Sequence, residues 1–143
     1  MAPILILWFG SGVISKIVLA AIFCFFPILV NTIKGLQSIN EEALDLFKSF
    51  YASKFKIFIS LRFPNSLPYI FSALKISIGL AICGAIVGEF SGSFEGIGYV
   101  ILISSYHLDT VRMFAAMSLT LLIGMLLFYL ISLIERKIVF WQG

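Results

Sequence analysis

Apolar residues run through this chain in long blocks, and one extended polar stretch interrupts them. From Ile17 to Ile33 the run IVLAAIFCFFPILVNTI carries no charge and is bracketed by Lys16 and Lys34. A second block, about residues 68–90, reads PYIFSALKISIGLAICGAIVGEF; a third, about 113–134, reads MFAAMSLTLLIGMLLFYLISLI and is free of charge. At ~1.5 Å per residue the two later blocks are long enough to cross roughly 30 Å of hydrocarbon as helices. The first reaches that length at about 13–34, with Lys16 snorkelling to the headgroups. Pro27 is tolerable in such a helix because neighbours in a membrane bundle can satisfy the carbonyl it leaves free. Residues 3–9, PILILWF, are too short to cross alone, and Gly10-Ser11-Gly12 separates them from the first long block. The pattern predicts an all-α integral membrane chain with three transmembrane helices.

The polar interruption runs from Ser38 to Phe71. Ser38-Ile39-Asn40-Glu41 fits a capping box, with the Ser38 hydroxyl on the Glu41 backbone and the Glu41 carboxylate reaching back. A helix starting there carries Leu44, Phe47, Tyr51, Phe55 and Phe58 on one stripe, with Glu41, Glu42, Asp45 and Lys56 on the other side. Leu46 and Phe50 fall outside the stripe and leave further apolar surface. Pattern alone allows two uses, burial of the stripe in lipid headgroups or docking to a protein. Pro64 and Pro68 are expected to stop the helix and set the entry into the second span, since the residue before a proline is pushed from helical angles.

Composition supports the membrane reading: 61% of residues are hydrophobic and 12% are charged, about half the usual charged share of roughly 25%. The net charge of +3 is spread along loop edges, which argues against a nucleic-acid surface. Cys24 and Cys83 lie inside apolar runs and read as small buried hydrophobes. No basic leader region or cleavage pattern precedes the first block. The segment between the first two spans, about 35–67, holds Lys48, Lys54, Lys56 and Arg62, with Lys34 at its edge; the segment at about 91–112 holds Arg112. Basic residues favour the inner side of a membrane, so 35–67 and the C-terminus are expected in the cytoplasm and 91–112 outside. Glu135-Arg136-Lys137 and Trp141 form a charged and aromatic collar of the kind found at membrane surfaces.

The 38–68 stretch resembles the coupling loop of ABC importer permeases, the EAA loop, patterned Glu-Ala-Ala, three residues, Gly, nine residues, Ile-x-Leu-Pro. Anchored on Pro64, the acidic position falls on Asp45, with Leu46 and Phe47 in place of the alanines. Tyr51 stands where the pattern has glycine, Ala52 comes next, and Leu61 and Phe63 replace Ile and Leu. Glycine permits a turn between two short helices, whereas tyrosine resists positive φ, so the turn is expected either to keep negative φ or to bend differently. The surrounding runs PILILWFGSG, FFPILVNTIKGLQSI, LRFPNSLPYIFSALKISIGLAICGAIVGEF and GIGYVI, and the final helix ending ERKIVFW, are similar to the nitrate, sulfonate and taurine branch of these permeases. That branch includes importers of thiamine-precursor pyrimidines and of riboflavin. Its members have about twice this length and usually six spans, so the chain is expected to correspond to the last three, within a type I (MetI-like) fold.

The resemblance implies a plasma-membrane subunit without catalysis of its own. Its partners would be a cytosolic ATPase, an extracytoplasmic solute-binding protein and a second permease subunit, with no cofactor. Contact with the ATPase would fall on Asp45, Leu46, Phe47, Phe50, Tyr51, Ala52, Phe55, Leu61 and Pro64. Within the second span, Ser77, Ala81 and Ala85, and Gly84 with Gly88, lie at four-residue spacing that lets helix backbones approach. Lys75, Gly79, Gly84, Gly88 and Glu89 are the candidates for pathway lining or helix packing. Lys75 is placed to snorkel and Glu89 to reach water at the far end. Gly96-Ile97-Gly98 reads as a turn, and His107 with Asp109 as a surface loop, since one histidine without a third ligand makes no metal site. A small membrane scaffold, or a permease remnant that no longer transports, is the competing reading.

Overall fold

A computed structural model describes residues 2–10 and 12–139, so Ser11 and Trp141 lie outside the described residues. Every regular element among the described residues is helical. The helices are α1 (Ala2–Phe9), α2 (Val13–Gln37), α3 (Glu41–Ser49), α4 (Lys54–Ile57), a π-helical turn (Phe58–Arg62), α5 (Phe63–Phe90), α6 (Ile97–Tyr106) and α7 (Thr110–Ile138). Among the described residues, three helical stretches are long and apolar enough to cross a membrane: Val13–Gln37, Lys54–Phe90 and Thr110–Ile138.

Local chemistry sets most of the boundaries. Gly10, at φ +75°, ends α1 in a conformation that costs glycine little. Pro27 lies inside α2, where it removes one backbone bond, and the Asn31 amide donates back to the Pro27 carbonyl at 2.8 Å. The start of α3 differs from the expected capping box. Asn40 is the N-cap and accepts from the Glu42 N–H at 3.1 Å. Ser38 instead donates to the Gly35 carbonyl at 3.1 Å, and its own carbonyl accepts from the Asn65 amide at 2.6 Å. Ser38 is thereby tied to the end of α2 and the start of α5, and Asn40, two residues on, takes over the cap.

The prolines also act differently from the expectation. They stop nothing: the chain is helical without a break from Lys54 to Phe90, 37 residues. The π-helical turn, in which the Phe63 N–H reaches the Phe58 carbonyl, widens the helix just before Pro64. Pro64, the second residue of α5, follows at once and, having no N–H to donate, removes one backbone bond from the continuous helix. Pro68 lies inside α5, at the local cost of one bond.

The chain divides into two compact units. In the first, Met1–Phe25 with Ser77–Leu130, α5 lies close against α2. A Cβ on Gly84 would fall 2.8 Å from the Ala20 Cα, and one on Gly88 would fall 3.4 Å from the Lys16 Cα. Residues 84 and 88 thus meet 20 and 16, so the four-residue spacing on one helix matches that on an antiparallel neighbour. Gly79 has nothing within 4 Å of a built Cβ, which leaves it outside this contact. Leu19, Ile101 and Ala116 are buried here, whereas Cys83 is exposed and Cys24 donates weakly to the Ser77 carbonyl at 3.3 Å. Cys83 therefore faces outward, contrary to its expected burial.

In the second unit, Phe26–Ile76 with Ile131–Gly143, Gly35 plays the matching part. Its Cβ would fall 2.8 Å from the Tyr69 Cβ and 3.0 Å from the Ser66 Cα. Ser66 and Ala73 are fully buried, and Phe71 nearly so. Small residues form the seams in both units, while Phe25, Leu121, Leu126 and other large apolar side chains are exposed. Lipid tails are as apolar as leucine, so close backbone approach rather than apolar burial holds such helices together.

Gly84→Leu is expected to cost about 1–3 kcal/mol by forcing α5 from α2, whereas Gly79→Leu is expected to stay within about 0.5 kcal/mol of wild type. Equilibrium unfolding in mixed micelles checks this; equal losses in the two variants would contradict the seam.

Candidate functional site

The segment joining α2 to α5 forms a helix, a turn and a second helix. The turn arises from backbone bonding at the end of α3. Phe50 caps the helix, the Tyr51 N–H bonds the Lys48 carbonyl at 2.9 Å, and the Ala52 N–H bonds the Phe47 carbonyl at 3.2 Å. These two bonds make a Schellman motif, which requires a left-handed residue at its first outer position. That residue is Tyr51, at φ +51°. Of the two expected alternatives, a turn at negative φ or a different bend, the first is overturned, because Tyr51 itself adopts the left-handed conformation. The two carbonyl-satisfying bonds and the new cap at Ser53, which accepts from the Lys56 N–H, offset a steric cost of about 1–2 kcal/mol.

The turn splits the stripe read as one helix. Phe47 lies on α3, Tyr51 in the turn, Phe55 on α4 and Phe58 in the π-helical turn. What forms instead is a concavity of about 370 Å³ lined by Leu46, Phe47, Phe50, Tyr51 and Ala52 with Ser53 and Lys56. Of its lining residues Tyr51 is 98% exposed and Phe50 77%, so aromatic side chains on the concavity are turned away from the chain's own packing; Phe55, 73% exposed, stands outside the lining. Asp45 is exposed and pairs with Lys48 at 2.8 Å, a surface pair worth well under 1 kcal/mol. Leu61 and Pro64 lie beyond the concavity, in the π-helical turn and the first turn of α5.

The charged candidates of the second span are paired across helices. Lys75 forms an ion pair with Glu135 of α7, both side chains about 21% exposed. Glu89 ends α5 with its side chain 17% exposed. Its carboxylate accepts the Gly98 N–H of α6 at 2.6 Å and lies 3.7 Å from the Lys16 ammonium of α2. Lys16 also donates to the Ser93 hydroxyl at 2.8 Å and reaches the Glu95 carbonyl at 3.5 Å. A charge left alone in an apolar medium is expensive, and pairing plus a backbone donor lowers that cost.

This cluster accounts for the glycines of Gly96-Ile97-Gly98. Gly96 caps α6 at φ +120°, and a Cβ there would collide with the Glu89 carboxylate; one on Gly98 would fall 2.8 Å from Glu89 Oε2. The motif opens a helix, where a turn was expected. His107 caps the end of α6, and Asp109 accepts the Arg112 N–H at 3.1 Å, capping α7. Sequence reasoning missed the tie between Lys16, Glu89 and Gly98; the usable signal was an acid closing one apolar run nine residues before a glycine opening the next.

Tyr51→Gly is expected to stabilise the segment by about 0.5–1 kcal/mol, the relieved left-handed cost less glycine's extra entropy. Slower proteolysis between residues 49 and 54 would register it; faster cleavage would contradict the strain.

The whole chain answers to one known family. The model of the binding-protein-dependent transport system inner membrane component matches residues 1–140. The chain is 36% identical over 143 residues to the riboflavin transport system permease protein RibX of Chloroflexus aurantiacus, covering 100% of this chain and 53% of that protein. It is 37% identical over 142 residues to the formylaminopyrimidine transport permease protein ThiX of Halalkalibacterium halodurans, covering 99% and 57%. The taurine transport system permease protein TauC of Escherichia coli is 25% identical over 141 residues, covering 99% of this chain and 51% of that protein. The chain spans about half the length of these curated relatives. Matched along nearly its full length and built around three apolar helices of spanning length, this chain belongs to the binding-protein-dependent transport system inner membrane components, the ABC transporter permeases of MetI-like fold.

Proposed function

We propose that this chain contributes to the solute pathway of an ATP-driven importer and couples it to a cytosolic ATPase through α3, the Tyr51 turn and α4. The observation that carries the reading is mechanical. The aromatic concavity leads through α4 and the π-helical turn into α5 with no break over 37 residues. A partner seated on Phe50 and Phe55 would tilt a helix whose other end carries Glu89. Closure of two ATPases around ATP would then switch a pair of permease subunits between inward-open and outward-open states.

Two further features support this reading over a non-transporting scaffold. Identity to transport permeases extends along the whole chain, and the turn that shapes the concavity forms although Tyr51 makes it costly. The basic residues Lys34, Lys48, Lys54, Lys56 and Arg62 favour a cytoplasmic position for this segment and for the C-terminus. An extracytoplasmic binding protein would deliver the solute, a second copy of the permease would complete the pathway, and hydrolysis would belong to the ATPase. The relatives' names point to a small sulfonate such as taurine, or to a vitamin or vitamin precursor such as riboflavin or formylaminopyrimidine.

Phe50→Glu or Phe55→Glu in the full-length permease is expected to lower co-purification of the ATPase at least tenfold, the scale set by a buried aromatic anchor, with membrane insertion unchanged. Undiminished co-purification would refute the docking site. Lys54→Cys, with Cys24→Ser and Cys83→Ser, should react with a membrane-impermeant maleimide only after the membrane is opened; labelling in intact cells would end the importer reading.

A further inference from the structure

We propose that Lys75 and Glu135 are positioning residues that yoke α7 to the coupling segment, so that a push delivered at α3 and α4 enters two long helices and not one. The inference rests on the importer reading and adds to it a route into α7. One compact unit holds all the parts: it runs from Phe26 to Ile76 and resumes at Ile131. It therefore contains the aromatic concavity, the first half of α5 and the last turns of α7. Lys75 lies next to the unit's edge at Ile76, and Glu135 lies one turn beyond Ile131.

Nothing in the local chemistry of α7 favours an acid at position 135. Glu135 lies in the last turn, where the helix's own partial charge is negative and bases are preferred. Arg136 and Lys137 follow that preference and are exposed, whereas the Glu135 side chain reaches toward α5 and is about 21% exposed. Lys75 is equally covered and interrupts an apolar stretch, with Leu74 and Ile76 beside it. Each charge is unfavourable where it stands, and each is compensated by the other.

The pair settles what apolar packing leaves open. Along the last turns of α7, Ile131 and Ser132 are half-buried, while Leu133, Ile134 and Ile138 are exposed. Val139, just past the helix, is buried and anchors its end. Such contacts hold α7 near α5 but tolerate sliding and rotation, because apolar burial has no direction and lipid supplies no drive of its own. A hydrogen-bonded ion pair does have direction. The Lys75 ammonium donates to Glu135 Oε2, which fixes both the depth and the rotation of α7 on α5. Since α5 continues without a break from α4 and the π-helical turn, a load on Phe50 or Phe55 passes along one helix to Lys75 and across to Glu135.

The test compares the full-length permease with and without its ATPase, in nanodiscs of phosphatidylethanolamine and phosphatidylglycerol, by amide hydrogen exchange over residues 46–56 and 131–138. ATPase binding is expected to slow exchange at 46–56 directly, and at 131–138 by about fivefold, the lower end of coupling between distinct sites. Lys75→Met should keep the first effect and lose the second. Glu135→Gln breaks the pair from the other side and gives the same readout where Lys75→Met does not assemble. The exchange of charges, Lys75→Glu with Glu135→Lys, should restore slowing at 131–138, which a purely steric role for these side chains would not. Three results would overturn the yoke and leave the importer reading standing: slowing at 46–56 alone in wild type, slowing at 131–138 that survives both single substitutions, or exchanged charges that bind the ATPase without restoring it. Wild-type exchange at 46–56 that ignores the ATPase would overturn both.

Discussion

Close approach of helix backbones at small residues is the constraint on which this structure depends. Gly84 lies so near Ala20, and Gly35 so near Tyr69, that a methyl group at either glycine would leave Cβ separations of 2.8 Å. In water, such helices would be driven together by their apolar faces. In lipid that drive vanishes, and dispersion between matched surfaces must replace it. The large side chains have accordingly been released outward, and α7 buries Ala116 alone among its described residues.

Because apolar burial contributes little, a few polar contacts carry disproportionate weight. Lys16 with Glu89, and Lys75 with Glu135, join different helices within their respective units. Each replaces an unpaired intramembrane charge, which would be costly, by a pair that is merely less costly. Such pairs select one arrangement of helices over others more than they add stability. Glu89 goes further by accepting a backbone N–H from α6, and so converts the end of one long helix into the seat of the next.

The α3–α4 segment obeys a different logic. Its helices are short, its rim aromatics are exposed, and its shape depends on two backbone bonds around Tyr51. A left-handed tyrosine at 98% exposure gains nothing visible from its own chain's packing, so the turn is maintained by carbonyl satisfaction alone. The continuity of α4, the π-helical turn and α5 then ties this exposed surface to the apolar helix without a flexible linker. A π-turn suits that junction because it admits Pro64 without ending the helix.

Hydrophobic periodicity and run length alone determined that the chain is helical, that three stretches can span a membrane, and that one polar segment interrupts them. Those properties depend on counts along the chain, and lipid leaves the backbone few alternatives to helix. The four-residue spacing of Gly84 and Gly88 also signalled a close seam, since small residues on one helical face have few other uses in lipid. Tertiary structure decided what the local pattern left open. Ser38 could have capped α3, but Asn65 and Gly35 claim it, and Asn40 serves instead. Tyr51 looked incompatible with a left-handed turn, yet the bonds to Phe47 and Lys48 outweigh its steric preference. Glu89 and Lys16 stand 73 positions apart in the sequence, and no local rule joins them. Only the antiparallel seating of α5 on α2 brings those charges within reach, because pairing across helices is a matter of register in space.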